Sequence, residues 1–355
     1  MTNSNTKRIL LVGGAGYIGS ALIPKLLAHG HSVRLLDNFL YGMEPIQGFL
    51  SHPKFEVIQA DFCAKQELPE YMWNIDTVIH LGGIVGDAAC RISQTATVET
   101  NLNGTCTLAK VAKANGVERF IFASSCSVYG FSDQVVDENS PVNPLSLYAL
   151  TKVTAEQQLA EMRDAYFHPV MLRFSTLYGM SNRFRFDLVV NLLTAQAIYD
   201  RRINIFGGHQ WRPFIHVEDA ANSITKTIDA PLELVDNRVF NVGFNEENYA
   251  LEQIGKMIQN LVPGTKLNMI PSEEDNRSYR VNFDNISEML AFTPSFSLAR
   301  GIEKTVTAIK TNDLRDYRNR KYHNAKFLEG INDRNILLQK NGMVADRREV
   351  VLEEF

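Results

Sequence analysis

The chain has 355 residues, of which 45% are hydrophobic and 21% are charged, and its formal net charge is −4. This composition excludes a disordered protein, and the small negative charge excludes general affinity for nucleic acid or for a membrane surface. No apolar run reaches the length that spans a bilayer, and the polar N-terminus lacks the pattern of a signal peptide. We therefore expect a cytoplasmic protein of two intimately joined domains.

The cysteines and histidines argue against a disulfide scaffold and against a metal site. The four cysteines lie far apart without a CxxC pair, and the eight histidines form no HxxxH pattern. We expect reduced thiols and no bound metal. The cysteines are Cys63, Cys90, Cys106 and Cys126.

The first half of the chain alternates between short apolar runs and helical stretches. Because the apolar runs are continuous rather than alternating, they indicate buried parallel strands. The predicted strands are Arg8–Val12, Ser32–Leu36, Phe55–Ala60, Thr77–Leu81, Arg119–Ala123 and Val170–Phe174. The principal predicted helices are Tyr17–His29, in which Pro24 is expected to introduce a kink or mark the first turns, Thr95–Asn115 and Leu147–Tyr166. This order predicts an α/β fold with a Rossmann-type, doubly wound parallel sheet.

A glycine-rich turn follows the first strand and opens the first helix. Gly13, Gly16 and Gly19 form a GxxGxxG pattern. Small residues let the backbone approach a pyrophosphate, and the helix N-terminus offers unpaired N–H groups. Asp37 ends the second strand 18 residues after Gly19, where a carboxylate can hold the ribose hydroxyls. Since a carboxylate repels a 2′-phosphate, the cofactor is predicted to be NAD rather than NADP.

After Phe174 the alternation loosens. Helices are predicted over Phe186–Tyr199 and Glu218–Ile228, and strands over Ile203–Phe206 and Pro213–Val217. We interpret this half as a smaller, interleaved substrate-binding domain. The predicted boundaries are 1–174 for the NAD-binding domain, with returning segments near 213–245; 175–212 and 246–310 for the substrate-binding region; and 311–355 for a polar extension that could be helical or irregular.

A tyrosine and a lysine with a serine nearby suggest proton and hydride chemistry. Tyr148 and Lys152 are four residues apart on a predicted helix, so their side chains share one face. A nearby ammonium favours the phenolate. Ser125 follows the fifth strand, whose end points into the ligand crevice, and can bond a reacting oxygen.

The order of motifs resembles an extended short-chain dehydrogenase/reductase of the NAD-dependent nucleotide-sugar epimerase/dehydratase type. The likeness spans about the first 310 positions. The matching motifs are GGAGYIGS at 13–20, LLDN at 35–38, ADF at 60–62, HLGG at 80–83, NLNGT at 101–105, SSCSVYG at 124–130, YALTK at 148–152, LRFSTLYG at 172–179 and RPFIHVEDAA at 212–221.

The resemblance implies roles for individual residues. Ser125, Tyr148 and Lys152 are implied as the catalytic triad, with Tyr148 as acid/base. The cofactor-binding candidates are Gly13, Gly16, Tyr17, Ile18, Gly19, Asp37, Asn38, Asp61, Phe62, Leu81, Gly82, Gly83, Asn101, Tyr148 and Lys152. The substrate-binding candidates are Asp87, Cys126, Ser127, Thr176, Asp187, Asn191, Arg212 and Arg277. Asp61 and Asp87 could instead cap helices. The resemblance also implies a homodimer formed through the helices near 95–115 and 147–166.

Two departures from the family pattern bear on the reaction. Sugar 4,6-dehydratases carry an Asp-Glu pair after the catalytic hydroxyl residue, and decarboxylating relatives need glutamate at the second of those places, where this chain has Cys126 and Ser127. Because side chains alternate along a strand, the side chain of Cys126 is expected to point to the opposite side from that of Ser127. Thr176 stands where the galactose-type epimerases carry a substrate-binding asparagine. The sequence therefore does not identify the sugar of the substrate. These features favour a nucleoside-diphosphate-sugar 4-epimerase, with a 4-ketoreductase or a non-catalytic dinucleotide sensor as alternatives.

Overall fold

The computed structural model describes residues 6–272 and 277–331. Along these residues the strands are β1 (Arg8–Val12), β2 (Ser32–Asp37), β3 (Phe55–Gln59), β4 (Thr77–His80), β5 (Arg119–Ser125), β6 (Phe131–Val136), β7 (His168–Phe174), β8 (Thr176–Tyr178), β9 (Arg202–Phe206), β10 (Trp211–His216), β11 (Val239–Val242), β12 (Asn248–Ala250), β13 (Lys266–Ile270) and β14 (Ser278–Val281). The α-helices are α1 (Tyr17–Ala28), α2 (Leu68–Tyr71), α3 (Asp87–Ile92), α4 (Gln94–Val98), α5 (Thr105–Ala114), α6 (Leu147–Glu161), α7 (Val189–Tyr199), α8 (Val217–Asp229), α9 (Leu232–Val235), α10 (Leu251–Leu261), α11 (Asp284–Leu290), α12 (Leu298–Thr311) and α13 (Asn324–Glu329).

A parallel sheet of seven strands organises the described part of the chain. Its order is β11-β7-β5-β4-β1-β2-β3, so the strand order reverses between β1 and β4. The predicted doubly wound α/β fold is confirmed. In such sheets ligands bind outside the carboxyl ends of the strands, at the point of reversal. The glycine turn after β1 and the loop after β4 both lie there.

Apolar side chains cover both faces of this sheet, which is why its strands read as continuous hydrophobic runs. Leu11 and Leu35 pack on one face with α1 and α8, and Leu10 and Val78 pack on the other face with α5 and α6. A separate cluster around Phe214 joins α7, α10 and α12. Smaller sheets pair β10 with both β8 and β12, β9 with β13, and β6 with β14.

Two predicted helices differ from the observed ones. The stretch predicted as Thr95–Asn115 is broken into α4 and α5 by a π-helical turn over Glu99–Gly104. π-turns are frequent at functional sites, and this one carries Asn101 towards the loop after β4. Helix α1 runs from Tyr17 to Ala28, so Pro24 lies inside the helix and does not mark its first turn. The side chain of Pro24 is on the exposed side of α1.

The described part of the polar extension is folded. Residues 312–331 follow α12 with turns, a short 3₁₀ helix over Arg320–Tyr322 and α13, and they pack against the rest of the protein. The sequence did not decide whether the extension is helical or irregular. The rest of the extension, residues 332–355, lies outside the described ranges. Within the described residues, no helix has both the length and the apolar character needed to cross a membrane.

Candidate active site

The glycine turn after β1 is shaped by close backbone contacts. Gly13 has φ = +76°, and a Cβ there would lie 2.5 Å from the Cα of Gly82. A Cβ on Gly19 would lie 2.3 Å from the carbonyl oxygen of Gly14. No side chain caps the N-terminus of α1, so its first N–H groups are available to a phosphate. A larger residue at Gly13 or Gly19 would disrupt this cradle.

A cavity of about 1230 Å³, open mouth included, lies over this turn. Its glycine floor and acidic edge suit NAD. Of the residues predicted to bind the cofactor, those that line it are Gly13, Gly16, Tyr17, Ile18, Gly19, Asp37, Asn38, Asp61, Phe62, Leu81, Gly82 and Gly83.

Two carboxylates hold backbone turns at the edge of the cavity. Asp37 accepts hydrogen bonds from the N–H groups of Ala15 (2.9 Å) and Phe39 (2.8 Å), and burial raises its pKa. Asp61 accepts a hydrogen bond from the N–H of Cys63 at 2.8 Å, as a capping residue does, and it also lines the cavity. Both predicted roles of Asp61 therefore agree with its position. A ribose hydroxyl donating to Asp37 would add a bond that favours its charged form.

Asn101 shapes the loop after β4 and does not line the cavity. Its amide bonds both backbone groups of Ile84, at 2.8 Å each, and it is 1% exposed. A Cβ on Gly83 would lie 2.8 Å from its Oδ1. Asn101 therefore acts on the cofactor site through the loop that carries Gly82 and Gly83.

Helix α6 carries the predicted acid/base pair. The hydroxyl of Ser146 caps it by accepting from the N–H of Ala149 at 3.2 Å. The Nζ of Lys152 donates to the carbonyl of Ala123 at 2.7 Å and lies 5.8 Å from the centre of the Tyr148 ring. The ammonium is thereby fixed beside the phenol.

The electrostatics of this group oppose spontaneous ionisation. Burial raises the pKa of Tyr148, and the nearby Ser125 side chain acts in the opposite direction. Ser125 also accepts from the N–H of Ser127 at 3.1 Å. Burial lowers the pKa of Lys152 to about 8, so its ammonium persists at neutral pH. The structure thus brings Ser125, Tyr148 and Lys152 together as predicted.

Two predicted substrate arginines meet beside this group. Arg277 pairs with Asp87, and its carbonyl accepts a hydrogen bond from Arg212. The guanidinium of Arg212 lies 5.6 Å from the centre of the Tyr279 ring, and its residue is 7% exposed. Asp87 also accepts from Ser146 at 2.6 Å. Two guanidinium groups at this place suit the diphosphate of a nucleotide sugar.

The two residues after Ser125 lie in a short 3₁₀ helix and have different surroundings. Cys126 is 1% exposed, its Sγ bonds the carbonyl of Arg173, and burial raises its pKa. It belongs to the core, so the predicted substrate contact at Cys126 is wrong. The Oγ of Ser127 is buried with no hydrogen-bond partner among the described residues. Thr176 begins β8 and pairs with Phe214 of β10, the strand that carries Arg212.

Asp187 and Asn191 both make hydrogen bonds within the protein. Asp187 receives two hydrogen bonds from Arg185, at 2.9 and 2.8 Å. Asn191 is 0% exposed, and its amide bonds both backbone groups of Gly179 and the carbonyl of Arg185. The predicted nucleotide contact of Asn191 is therefore wrong, because its carboxamide is already used to order the 179–185 loop.

Sequence reasoning missed several residues that line the cofactor cavity. They are Leu40, Tyr41, Val85, Thr100, Arg183, Arg185, Asn324 and Leu328, among others. The two arginines are two residues apart in NRFRFD at 182–187, shortly after the LYG motif, and this local basic pair could have indicated an anion site. Nothing local indicates Asn324 or Leu328.

The comparisons with known proteins agree with this arrangement. Residues 9–243 match the NAD dependent epimerase/dehydratase family. A putative UDP-glucose 4-epimerase of Methanocaldococcus jannaschii is 27% identical over 86% of this chain and 99% of its own. UDP-glucuronic acid decarboxylase 1 of Danio rerio is 26% identical over 86% of this chain and 73% of its own.

A solved structure of a nucleotide-sugar 4-epimerase has a similar fold. The UDP-glucuronic acid 4-epimerase of Bacillus cereus, in complex with UDP-glucuronic acid and NAD, superposes with a TM-score of 0.78. It is 27% identical, and the match covers 86% of this chain and 99% of that one.

Proposed function

The chain belongs to the NAD-dependent epimerase/dehydratase family, and on this premise we propose that it is a 4-epimerase of a nucleoside-diphosphate hexose. It is an enzyme whose cofactor is NAD. The proposal depends on one observation: Tyr148 is placed to move a proton, whereas the two positions after Ser125 hold a core thiol and a hydroxyl. A second proton-transfer carboxylate, which elimination of water requires, is not offered at those positions.

The roles of the protein's own residues follow from their contacts. Tyr148 takes the proton from the sugar hydroxyl and returns it when the carbonyl is reduced. Lys152 stabilises the phenolate through its charge, and Ser125 donates to the reacting oxygen. Bound NAD would supply the hydride acceptor and donor at the sugar carbon, and epimerisation would require the keto sugar to turn over between the two half-reactions.

The substrate side supports a diphosphate ligand. Arg212 and Arg277 lie together, and Asp87 holds Arg277. The carboxylate of Asp87 is itself bound by Ser146 and Arg277, so it is poorly placed to act as a base on the sugar. Together with Ser127 and Thr176, these groups are the proposed contacts to the nucleotide sugar.

One screen tests the proposal. UDP-, GDP-, CDP- and dTDP-hexoses are incubated with the purified protein, and the sugars are followed by NMR while the absorbance of reduced nicotinamide is recorded. A 4-epimerase interconverts two sugars with no net change in reduced nicotinamide. Net oxidation of added NADH or NADPH by a keto sugar would instead identify a ketoreductase. Cofactor binding without turnover of any sugar would indicate a sensor.

We also propose a homodimer, formed through α4–α5 and α6. Leu150 on α6 is half exposed, as is Leu145 just before this helix, which leaves apolar surface for a second copy. Light scattering should give twice the mass of the chain, and a monomer mass would reject the dimer.

A further inference from the structure

Residues 312–331 form a C-terminal strap, and two of its residues, Asn324 and Leu328, line the cofactor cavity. Tyr317 anchors the strap: its side chain is 0% exposed, and its hydroxyl donates to Asp200 at 2.6 Å. The N–H of Phe186 donates to the carbonyl of Tyr322 at 2.9 Å. Helix α13 then lies against α3. The strap is therefore packed on the protein at Tyr317, at Tyr322 and along α13.

Asn324, the first residue of α13, joins two sides of the cavity. Its Nδ2 donates to the carbonyl of Val85 at 3.2 Å, and its Oδ1 accepts from Arg183 at 2.7 Å. Its N–H donates to Asp187 at 3.1 Å. Val85 follows β4 and Arg183 precedes α7, and both line the cavity. One buried side chain thus ties these two loops together over the dinucleotide site.

The apolar side of α13 spans the same opening. Leu328 is 1% exposed, lines the cavity and packs in a cluster with Ile84 and Cys90, against which Tyr148 also packs. The ring of Phe327 lies 5.0 Å from the ring of Tyr41, which follows β2. The strap therefore contacts the loop after β2 as well as the loop after β4.

Arg183, which the strap holds, has unsatisfied binding capacity. Its guanidinium lies 3.9 Å from the centre of the Tyr41 ring, and its Nε is buried without a hydrogen-bond partner among the described residues. Its neighbour Arg185 is already paired with Asp187. Burial and the charge of Arg185 lower the pKa of Arg183 to about 10. An anionic group in the cavity would accept a hydrogen bond from the Nε of Arg183 and would stabilise its buried positive charge.

We propose that the C-terminal strap is part of the cofactor site: α13 closes the cavity over NAD, and Arg183, oriented by Asn324, binds the anionic diphosphate of the cofactor. Release of NAD then requires the strap to open. The strap follows the residues matched by the family, which end at 243. An enzyme that regenerates its cofactor in each cycle benefits from such slow release.

Exchange of bound NAD for radiolabelled NAD, measured on the full-length protein without any sugar, tests this inference. Asn324→Ala and Leu328→Ala should each release NAD at least about tenfold faster, because each loses buried contacts that hold the strap closed. Arg183→Gln should weaken NAD binding at least about tenfold and reduce its dependence on salt. Lys326→Ala and Glu329→Ala, on the exposed side of α13, should exchange as the wild type does.

Wild-type rates in both Asn324→Ala and Leu328→Ala would overturn the proposal. If either variant fails to fold, hydrogen–deuterium exchange of the wild-type protein decides instead. Saturating NAD should slow exchange of the α13 amides relative to protein stripped of cofactor, and equal exchange would contradict a closing role. Because no sugar is present, these outcomes are independent of whether the enzyme is an epimerase.

Discussion

The hydroxyl of Ser146 donates a 2.6 Å hydrogen bond to the carboxylate of Asp87. Ser146 caps the helix that carries Tyr148, and Asp87 pairs with Arg277 on the substrate side. This contact links the position of a diphosphate-binding arginine to the first turn of the catalytic helix.

Asp87→Asn should separate substrate binding from chemistry. The amide keeps the shape of the side chain but removes the charge that holds Arg277. We expect KM for the nucleotide sugar to rise roughly tenfold, with a smaller change in kcat. Steady-state kinetics check this, with the exposed Asp133→Asn as control. A fall in kcat at unchanged KM would contradict the assigned role of Arg277.

Tyr148→Phe should retain NAD but lose turnover. The ring packing remains, and the proton-transfer hydroxyl is removed, so kcat should fall by roughly two to four orders of magnitude. Ser125→Ala should cost less, because it removes one hydrogen bond and keeps the group that transfers the proton. Single-turnover assays on the substrate from the NMR screen measure both. Near-normal turnover of Tyr148→Phe would disprove the proposed mechanism.

Lys152→Met should stabilise the cofactor-stripped protein while impairing catalysis. In the folded protein burial lowers the pKa of Lys152 from 10.5 to about 8. The folded state therefore binds fewer protons than the unfolded chain between these values, and wild-type stability rises with pH across this window. At pH 7 the buried ammonium is charged, and the lowered pKa corresponds to a cost of about 3 kcal/mol, so the variant should gain up to about 3 kcal/mol of unfolding free energy.

This gain should shrink as the pH rises from 8 towards 10.5, because the wild-type lysine then loses its proton in the folded state. Thermal or urea unfolding at pH 7 and pH 10 measures the difference. A lower stability of Lys152→Met at pH 7 would mean that the bond to Ala123 outweighs the cost of the buried charge.

Ser127→Ala and Cys126→Ala should have opposite effects although the residues are adjacent. The Ser127 hydroxyl has no partner among the described residues, so its loss should leave stability nearly unchanged while kcat/KM falls roughly tenfold. Cys126 fills the core, so its truncation should lower the unfolding free energy by about 1–2 kcal/mol with little effect on kcat/KM. Matching effects of the two changes on activity would argue against a sugar contact at Ser127.

Features that depend on a few neighbouring residues could be predicted from the sequence. The turn from Gly13 to Gly19 and the carboxylate of Asp37 follow from the spacing around one strand and one helix. Tyr148 and Lys152 meet because residues four apart share a helix face. The continuous apolar strands predicted a sheet covered on both sides, and the structure has that sheet.

Other roles depended on which neighbours a side chain meets. Asn191 stands at the predicted helix, but its amide is used up by Gly179 and Arg185. Asn101 reaches Ile84 only because a π-turn interrupts the helix that the pattern predicted. In both cases the hydrogen-bond partners of the side chain, which the sequence does not show, decided its role.

By itself, the sequence determined the dinucleotide turn, the individual apolar strands and the spacing of Tyr148 and Lys152, because each is encoded over a short stretch. Only the tertiary structure placed Asn324 and Leu328 of the C-terminal strap at the cofactor cavity. Asn324 meets Asp187 and Val85 across 137 and 239 residues of chain. Such contacts have no periodicity, so they become visible only when the completed fold brings distant loops to the same end of the sheet.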